Sequence, residues 1–231
     1  MTRFALVHSP FVGPVSWRAL AGAMPEAVAI DYGGVRGPRW YEDVAAATAA
    51  QAGEAPFVAV LHSGAGGFAP AIAAAAGSRL AGLILLDAVL PYPGVSCAST
   101  APEALVAHLR KITTDGRLAR WNRWFPQDPT PTMIPDVGLR EAFVADLPRT
   151  PFAFLEAVCP PDAWEHVPTA YVQLSQGYAA TAAKAEARGW PVLRADLHHL
   201  AMASDPDAVA GLLRDAAARL EMRAESARNP I

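Results

Sequence analysis

Short unbroken apolar runs alternate along the chain with longer alanine-rich segments whose apolar positions recur at helical spacing. The runs predict strands at 4–8, 28–31, 57–61, 83–86, 170–174 and 192–194; the segments between them predict helices at 17–23, 41–52, 68–76, 181–188 and 207–223. Strands apolar on both sides belong to a sheet covered on both faces, and parallel neighbours need long crossovers of the kind these helices supply. The pattern predicts an α/β fold with a mostly parallel central sheet flanked by helices.

The alternation stops between Pro91 and Pro168. Prolines cluster there in "PYPG", "FPQDPTPTMIP" and "CPPDAWEHVP", and the helical stretches 103–112 and 139–146 have no strand between them. A long excursion between two strands is commonly a lid over a site. It also holds "WNRWFP", which offers Trp121, Trp124 and Phe125 either as substrate contacts or as packing between lid and body. The expected organisation is one domain, 1–231, with 91–168 as a proline- and tryptophan-rich insertion. The final "ESARNPI" is expected to fray.

Composition narrows the partners. With 231 residues and a formal net charge of −3, the chain has no basic footprint for nucleic acid or an anionic membrane. A small molecule, free or carried on a protein, is the better expectation. No secretory leader or bilayer-length apolar run is read, which points to the cytoplasm, with Cys97 and Cys159 reduced and structural. Oligomeric state is not legible.

The stretch "VAVLHSGAGGFAPAIAAA" carries the chemistry and admits two readings. From Gly64, the spacing Gly64, Gly66, Ala69 fits the dinucleotide turn G-x-G-x-x-G/A, and Asp87 ends the next strand 23 residues on, where an acid binds a ribose hydroxyl. Against this, two strand–helix units precede the glycines, the polar pair His62-Ser63 separates them from the apolar strand, and "DLHHLAMASDPDAVAGLL" is left without a role. No G-K-[ST] follows the glycines, and "DYGGVRG" at 31–37 has no fingerprint spacing. From Ser63, the same stretch is a serine on a sharp strand-to-helix turn.

Four segments resemble the α/β-hydrolase superfamily: "LVHSPFVGPVSW" after the first strand, "LHSGAGG" at the elbow, "LILLDAVLP" after the next strand, and "HHLAMASDP" near the end. The resemblance covers most of the chain and implies a serine nucleophile, Ser63, a base, His199, and an acid, in the order this fold uses. Asp205-Pro206, six and seven residues after His199, favours it over His198. The loop that often carries the acid reads "YVQLSQGYAATAAKA" and has none before Glu186, so Asp87 is the first candidate, with Asp196 next and Asp162 or Glu165 behind. The backbone N–H groups of Gly64 and Phe11 are the implied oxyanion donors, because Pro10, standing where the second donor often sits, has no N–H. Leu61 and Ala65 replace the outer glycines of G-x-S-x-G. His62 and His8 are expected to pack or hydrogen-bond around the site, and neither a metal nor a cofactor is called for.

The serine needs the histidine because a hydroxyl is a weak nucleophile until its proton is taken, and the histidine needs a carboxylate to fix its tautomer. The expected activity is acyl transfer from an apolar or aromatic ester or thioester to water, through an acyl-enzyme on Ser63. The alternatives are transfer from a carrier-bound thioester to another acceptor, and dinucleotide binding through Gly64, Gly66 and Asp87.

Overall fold

The computed structural model describes residues 2–33 and 37–228. Strands β1 (Arg3–Val7), β2 (Ala27–Ile30), β3 (Phe57–His62), β4 (Leu80–Leu86), β5 (Thr169–Gln173) and β6 (Val192–Arg194) form one sheet in the order β2-β1-β3-β4-β5-β6, every pair parallel. The crossovers use helices α1 (Arg18–Ala23), α2 (Trp40–Gln51), α3 (Ala69–Ala76) and α6 (Ala179–Ala187). Helices α4 (Glu103–Lys111) and α5 (Val137–Asp146) lie in the excursion, and α7 (Pro206–Arg228) ends the chain. The stretch "DYGGVRG" falls partly outside the described residues, as does the end of "ESARNPI", whose first four residues continue the backbone of α7.

Alternate residues of each strand feed opposite cores, the period-two consequence of the pleat. Ala5, Val7, Ala59, Leu61, Leu83, Leu85 and Tyr171 join α2, α3 and α6 on one face. Phe4, Leu6, Val58, Val60, Ile84, Leu86, Ala170 and Val172 join α1 and α7 on the other. Both faces of the middle strands are therefore dry, which is why they read as continuous apolar runs rather than alternating ones.

The sequence places β4 at 83–86, but it begins at Leu80. Gly82, in the added stretch, is a packing site: a Cβ there would stand 2.9 Å from Leu220 Cδ1 of α7 and 3.3 Å from the Pro168 carbonyl. The glycine is set by how closely α7 lies on the sheet.

The chain moves outward from β1 to β2 and then returns to the other side of β1 for β3, so the order reverses between β1 and β3. The mouth of such a reversal, beyond the carboxyl ends of the strands, is where open α/β sheets bind ligands. The turn after β1, Ser63 after β3 and Asp87 after β4 all lie at that edge.

Between β4 and β5 the chain folds back on itself through isolated antiparallel bridges, Ser96 with Val158 and Arg117 with Pro151, without a full strand among the described residues. It is tied to the turn after β1: Thr150 Oγ1 donates to the Pro10 carbonyl, and the Asp146 carboxylate accepts from Val15 N at 2.9 Å. Phe154 enters the α2/α3 core, packing on Tyr41 and Phe68. Among the described residues no helix is long and apolar enough to cross a membrane.

Candidate active site

Ser63 follows β3 in the left-handed region, φ 57°, and Asp87 follows the adjacent β4 at φ 45°. L-residues avoid this region, and such positions persist only where the surroundings over-determine them. For Ser63 the surroundings are visible. Val89 N donates to the Ser63 carbonyl at 3.0 Å, and a 3₁₀ turn, Ser63–Phe68, begins at the serine itself before α3 continues it. The sequence places the helix from residue 68; the extra turn tightens the exit from the strand.

The glycines of this turn face protein, not open space. A Cβ on Gly64 would meet Phe11 Cε2 at 2.9 Å, Ser9 Oγ at 3.1 Å and Pro10 Cδ at 3.2 Å; one on Gly66 would run into the Val89 carbonyl oxygen, and one on Gly67 into the Tyr92 hydroxyl. The approach a pyrophosphate needs at Gly66 and Gly67 is thus filled by Val89 and Tyr92, and Asp87 is committed elsewhere, which removes the structural support for the dinucleotide reading. Gly66→Ala is expected to cost about 1–3 kcal/mol, because the atom that must move is backbone. Its denaturant midpoint should fall with the slope unchanged. Leu61 and Ala65, in place of the outer glycines, are both fully buried in the α2/α3 core.

Asp87 is completely buried. Its Oδ1 accepts from Leu174 N at 2.9 Å and Ser175 N at 3.1 Å; its Oδ2 accepts from Ser175 Oγ at 2.6 Å and pairs with His199 Nδ1 at 2.8 Å. Burial alone would raise its pKa. The hydrogen bond and charge of His199, then the Ser175 donors, overcome that and hold the carboxyl below its ordinary value. The loop after β5, which carries no acid, thus supplies the donors that hold an acid one strand away.

Of the two adjacent histidines, His199 takes the carboxylate and His198 turns away, its Nε2 on Ser204 Oγ at 2.8 Å and its Nδ1 accepting from Leu200 N at 3.2 Å. The rival acids are not at the histidine: Asp196 and Glu165 are exposed, Glu165 accepting from Trp164 N, while the Asp162 charge acts on Cys159. Among the described residues, no three His, Cys, Asp or Glu side chains are grouped to hold a metal ion.

His199 is bracketed on several sides. The Tyr178 ring lies parallel to its imidazole, centroids 5.1 Å apart and planes 3° apart; the His62 ring stands at 4.5 Å and the Trp121 ring at 6.4 Å. His62 Nε2 also donates to the His199 carbonyl at 2.9 Å, joining the residue before the serine to the histidine loop. Ser63 Oγ has its hydrogen bond with Tyr178 Oη at 3.5 Å. Nothing in the sequence marked Tyr178: it belongs to no motif, and only its place in the loop after β5 pointed toward the site.

The two implied oxyanion elements meet, since Gly64 lies against the Ser9–Phe11 turn. Phe11 N is held by Ser9 Oγ, but at 3.4 Å, a long bond. Phe11 packs on Trp124 at 4.9 Å and on Phe154 at 6.1 Å. Trp121 is buried beside His199, whereas Phe125 is 44% exposed and stands edge-on to the Trp121 ring at 5.2 Å. Trp121 and Trp124 of the excursion thus stand beside His199 and on Phe11, and Ser63 keeps 9% of its surface.

Burial lowers the pKa of His8 to about 4, while its backbone bonds at Ser9 and Val12 and the charges of Asp146 and Asp31 oppose that shift; it stacks on Tyr32 at 4.0 Å. Burial, followed by His199, also pushes His62 far down. An unfolded histidine titrates near 6.5, so between there and about 4 the unfolded chain binds more protons and stability falls as pH falls, by up to ~1.4 kcal/mol per pH unit from His8 alone. Denaturant unfolding at pH 7, 6 and 5 should give a shallower slope for His8→Gln; an unchanged slope would assign the acid loss to other groups. The cysteines are free thiols, both raised by burial, Cys159 to about 12 with its Sγ on the Gly67 carbonyl.

No protein-family profile and no curated protein matches the chain. Solved structures do. A pyrethroid hydrolase from Sphingobium faniae superposes with a TM-score of 0.72 at 19% identity, covering 95% of this chain and 99% of that one. An extracellular α/β-hydrolase from a Paenibacillus species, described as sharing structural and functional homology with tobacco salicylic acid binding protein 2, gives 0.69 at 17%, covering 94% and 99%. A thermophilic esterase from Thermogutta terrifontis gives 0.60 at 19%, covering 95% and 90%. At such identities the likeness is one of fold.

Proposed function

We propose, from the α/β-hydrolase fold that this chain adopts and from the contacts around Ser63, that it is a serine hydrolase acting on an apolar or aromatic ester or thioester. The observation that carries the proposal is the 2.8 Å pair of Asp87 and His199 beside a serine held at φ 57° on the neighbouring strand end. Similarity to a pyrethroid hydrolase and an esterase supports the reaction class.

In this reading His199 Nε2 takes the Ser63 proton as Oγ attacks the carbonyl carbon, while Asp87 keeps the Nδ1–H tautomer and stabilises the imidazolium. Gly64 N–H receives the developing oxyanion, joined by Phe11 N–H once the charge draws it from its long bond to Ser9. The proton then passes to the leaving group, and water repeats the sequence on the acyl-enzyme. The excursion 91–168 serves as the lid, with Phe11, Trp121 and Trp124 at the acyl group and Phe125 at the rim. The substrate is a small molecule or an acyl group borne on a carrier protein.

The low exposure of Ser63, with Trp121 buried beside His199, favours a second reading, transfer of an aromatic acyl group from a carrier-bound thioester to an acceptor other than water, because a dry site protects the acyl-enzyme from hydrolysis. Intact mass after incubation with aryl and alkyl acyl thioesters, with and without an added thiol or amine, separates the two. Acyl mass on Ser63 that decays equally with or without the acceptor supports hydrolysis, and decay that requires the acceptor supports transfer. Folded protein that neither traps nor turns over any member of the panel would overturn both.

A further inference from the structure

The loop 174–178 contributes more to the site than any motif requires. Leu174 and Ser175 hold Asp87, and three residues later Tyr178 touches both Ser63 and His199. Its ring is fixed by the parallel stack on the imidazole and by its own N–H, which donates to the Ser175 carbonyl at 3.2 Å. Its hydroxyl is thereby carried to 3.5 Å from Ser63 Oγ. Burial pushes the phenol up to about 12, against the lowering effect of the Ser63 bond and with the Asp87 charge adding to the rise. It is a neutral O–H near pH 7, unable to act as a base, and when the Ser63 proton is directed to His199 the phenol is the donor of the pair.

We propose that Tyr178 is a further catalytic residue, whose O–H donates to Ser63 Oγ and stabilises the negative charge on that atom whenever its bond to the acyl carbon forms or breaks. The proposal rests on Ser63 being the nucleophile. In acylation the Oγ–C bond forms, the bond from carbon to the leaving group breaks, and the serine proton passes through His199 to the leaving group. In deacylation a water oxygen bonds the acyl carbon, the C–Oγ bond breaks, and a water proton passes through His199 to Oγ. Tyr178 keeps its own proton throughout. Oγ is partly anionic in both transition states, so the donor bond, long in the resting enzyme, strengthens where it lowers the barrier. The position supports a role at Oγ: Gly64 and the Ser9–Phe11 turn form the wall for the carbonyl oxygen, whereas Tyr178 lies against the histidine.

Stopped-flow hydrolysis of p-nitrophenyl butyrate by wild type and Tyr178→Phe tests this, because the phenyl ring keeps the stack on His199 and only the hydroxyl is lost. The burst and the steady state, which report acylation and deacylation, are each expected to slow about ten- to hundredfold. Rates within twofold of wild type, or faster, would overturn the proposal, since a residue that only packs on the imidazole would leave them there. Labelling of wild-type Ser63 by a fluorophosphonate is measured alongside. A labelled wild type with an unimpaired Phe variant removes only the role of Tyr178. A folded wild type that takes no label removes the nucleophile itself and this proposal with it.

Discussion

Ser63→Ala is expected to lower kcat for an aryl ester by on the order of 10⁴–10⁶, and His199→Ala by a similar factor, with folding retained. In the proposed mechanism the two residues act on one proton: without Oγ there is no nucleophile, and without the imidazole the hydroxyl is not activated. Their effects will not add, so the double variant should resemble either single one. Activity above the uncatalysed rate will persist in each, because Gly64 and Phe11 still face the carbonyl oxygen. Steady-state kinetics of the three variants against wild type is the measurement, and additive losses would show that the two side chains serve separate steps.

Asp87→Asn is expected to reduce kcat by about 10⁴, through the tautomer of His199. An amide presents an NH₂ group where Oδ2 now accepts from Ser175 Oγ and His199 Nδ1, so the imidazole moves its proton to Nε2, the nitrogen required as base. Flipping the amide instead sets the NH₂ against the N–H groups of Leu174 and Ser175. Either way a buried donor loses its acceptor, which destabilises the fold by about 2 kcal/mol. The pH dependence has a definite sign. Because the folded carboxyl lies below its unfolded value, its contribution is complete above about pH 4 and is lost as pH falls through the folded pKa. The stability contributed by the ionised carboxyl should therefore be lost below about pH 4, where the gap between wild type and Asp87→Asn narrows.

The fold was legible because its signals are local. The continuous runs around Val58–Leu61 and Leu83–Leu86 are what strands buried on both faces require, and the alanine-rich α2 and α3 kept their helical period. The strand predicted from 83 begins at Leu80, and the reason for the glycine within it, Gly82, lies in Leu220, 138 residues away. In the site, sequence order and the Asp205-Pro206 offset singled out Ser63 and His199, and the lack of a carboxylate after β5 turned attention to Asp87. The converse was hidden: Ser175 and Leu174 hold that acid through two backbone N–H groups and one hydroxyl, and backbone donors leave no trace in residue identity. Tyr178 was equally silent, since a ring stack needs no motif, whereas His62 was expected to pack or hydrogen-bond around the site and meets the His199 ring and carbonyl. Phe11 was chosen because Pro10 has no N–H, but its engagement by Ser9 is a matter of a few tenths of an ångström that no spacing encodes.

The central claim, that Ser63 is a nucleophile activated by His199 and Asp87, is tested most directly by a fluorophosphonate probe followed by peptide mass mapping. The expected result is one adduct on wild type, located on Ser63, absent from Ser63→Ala and strongly slowed in His199→Ala and Asp87→Asn. A correctly folded wild type without an adduct, or with the adduct on another residue, would contradict it.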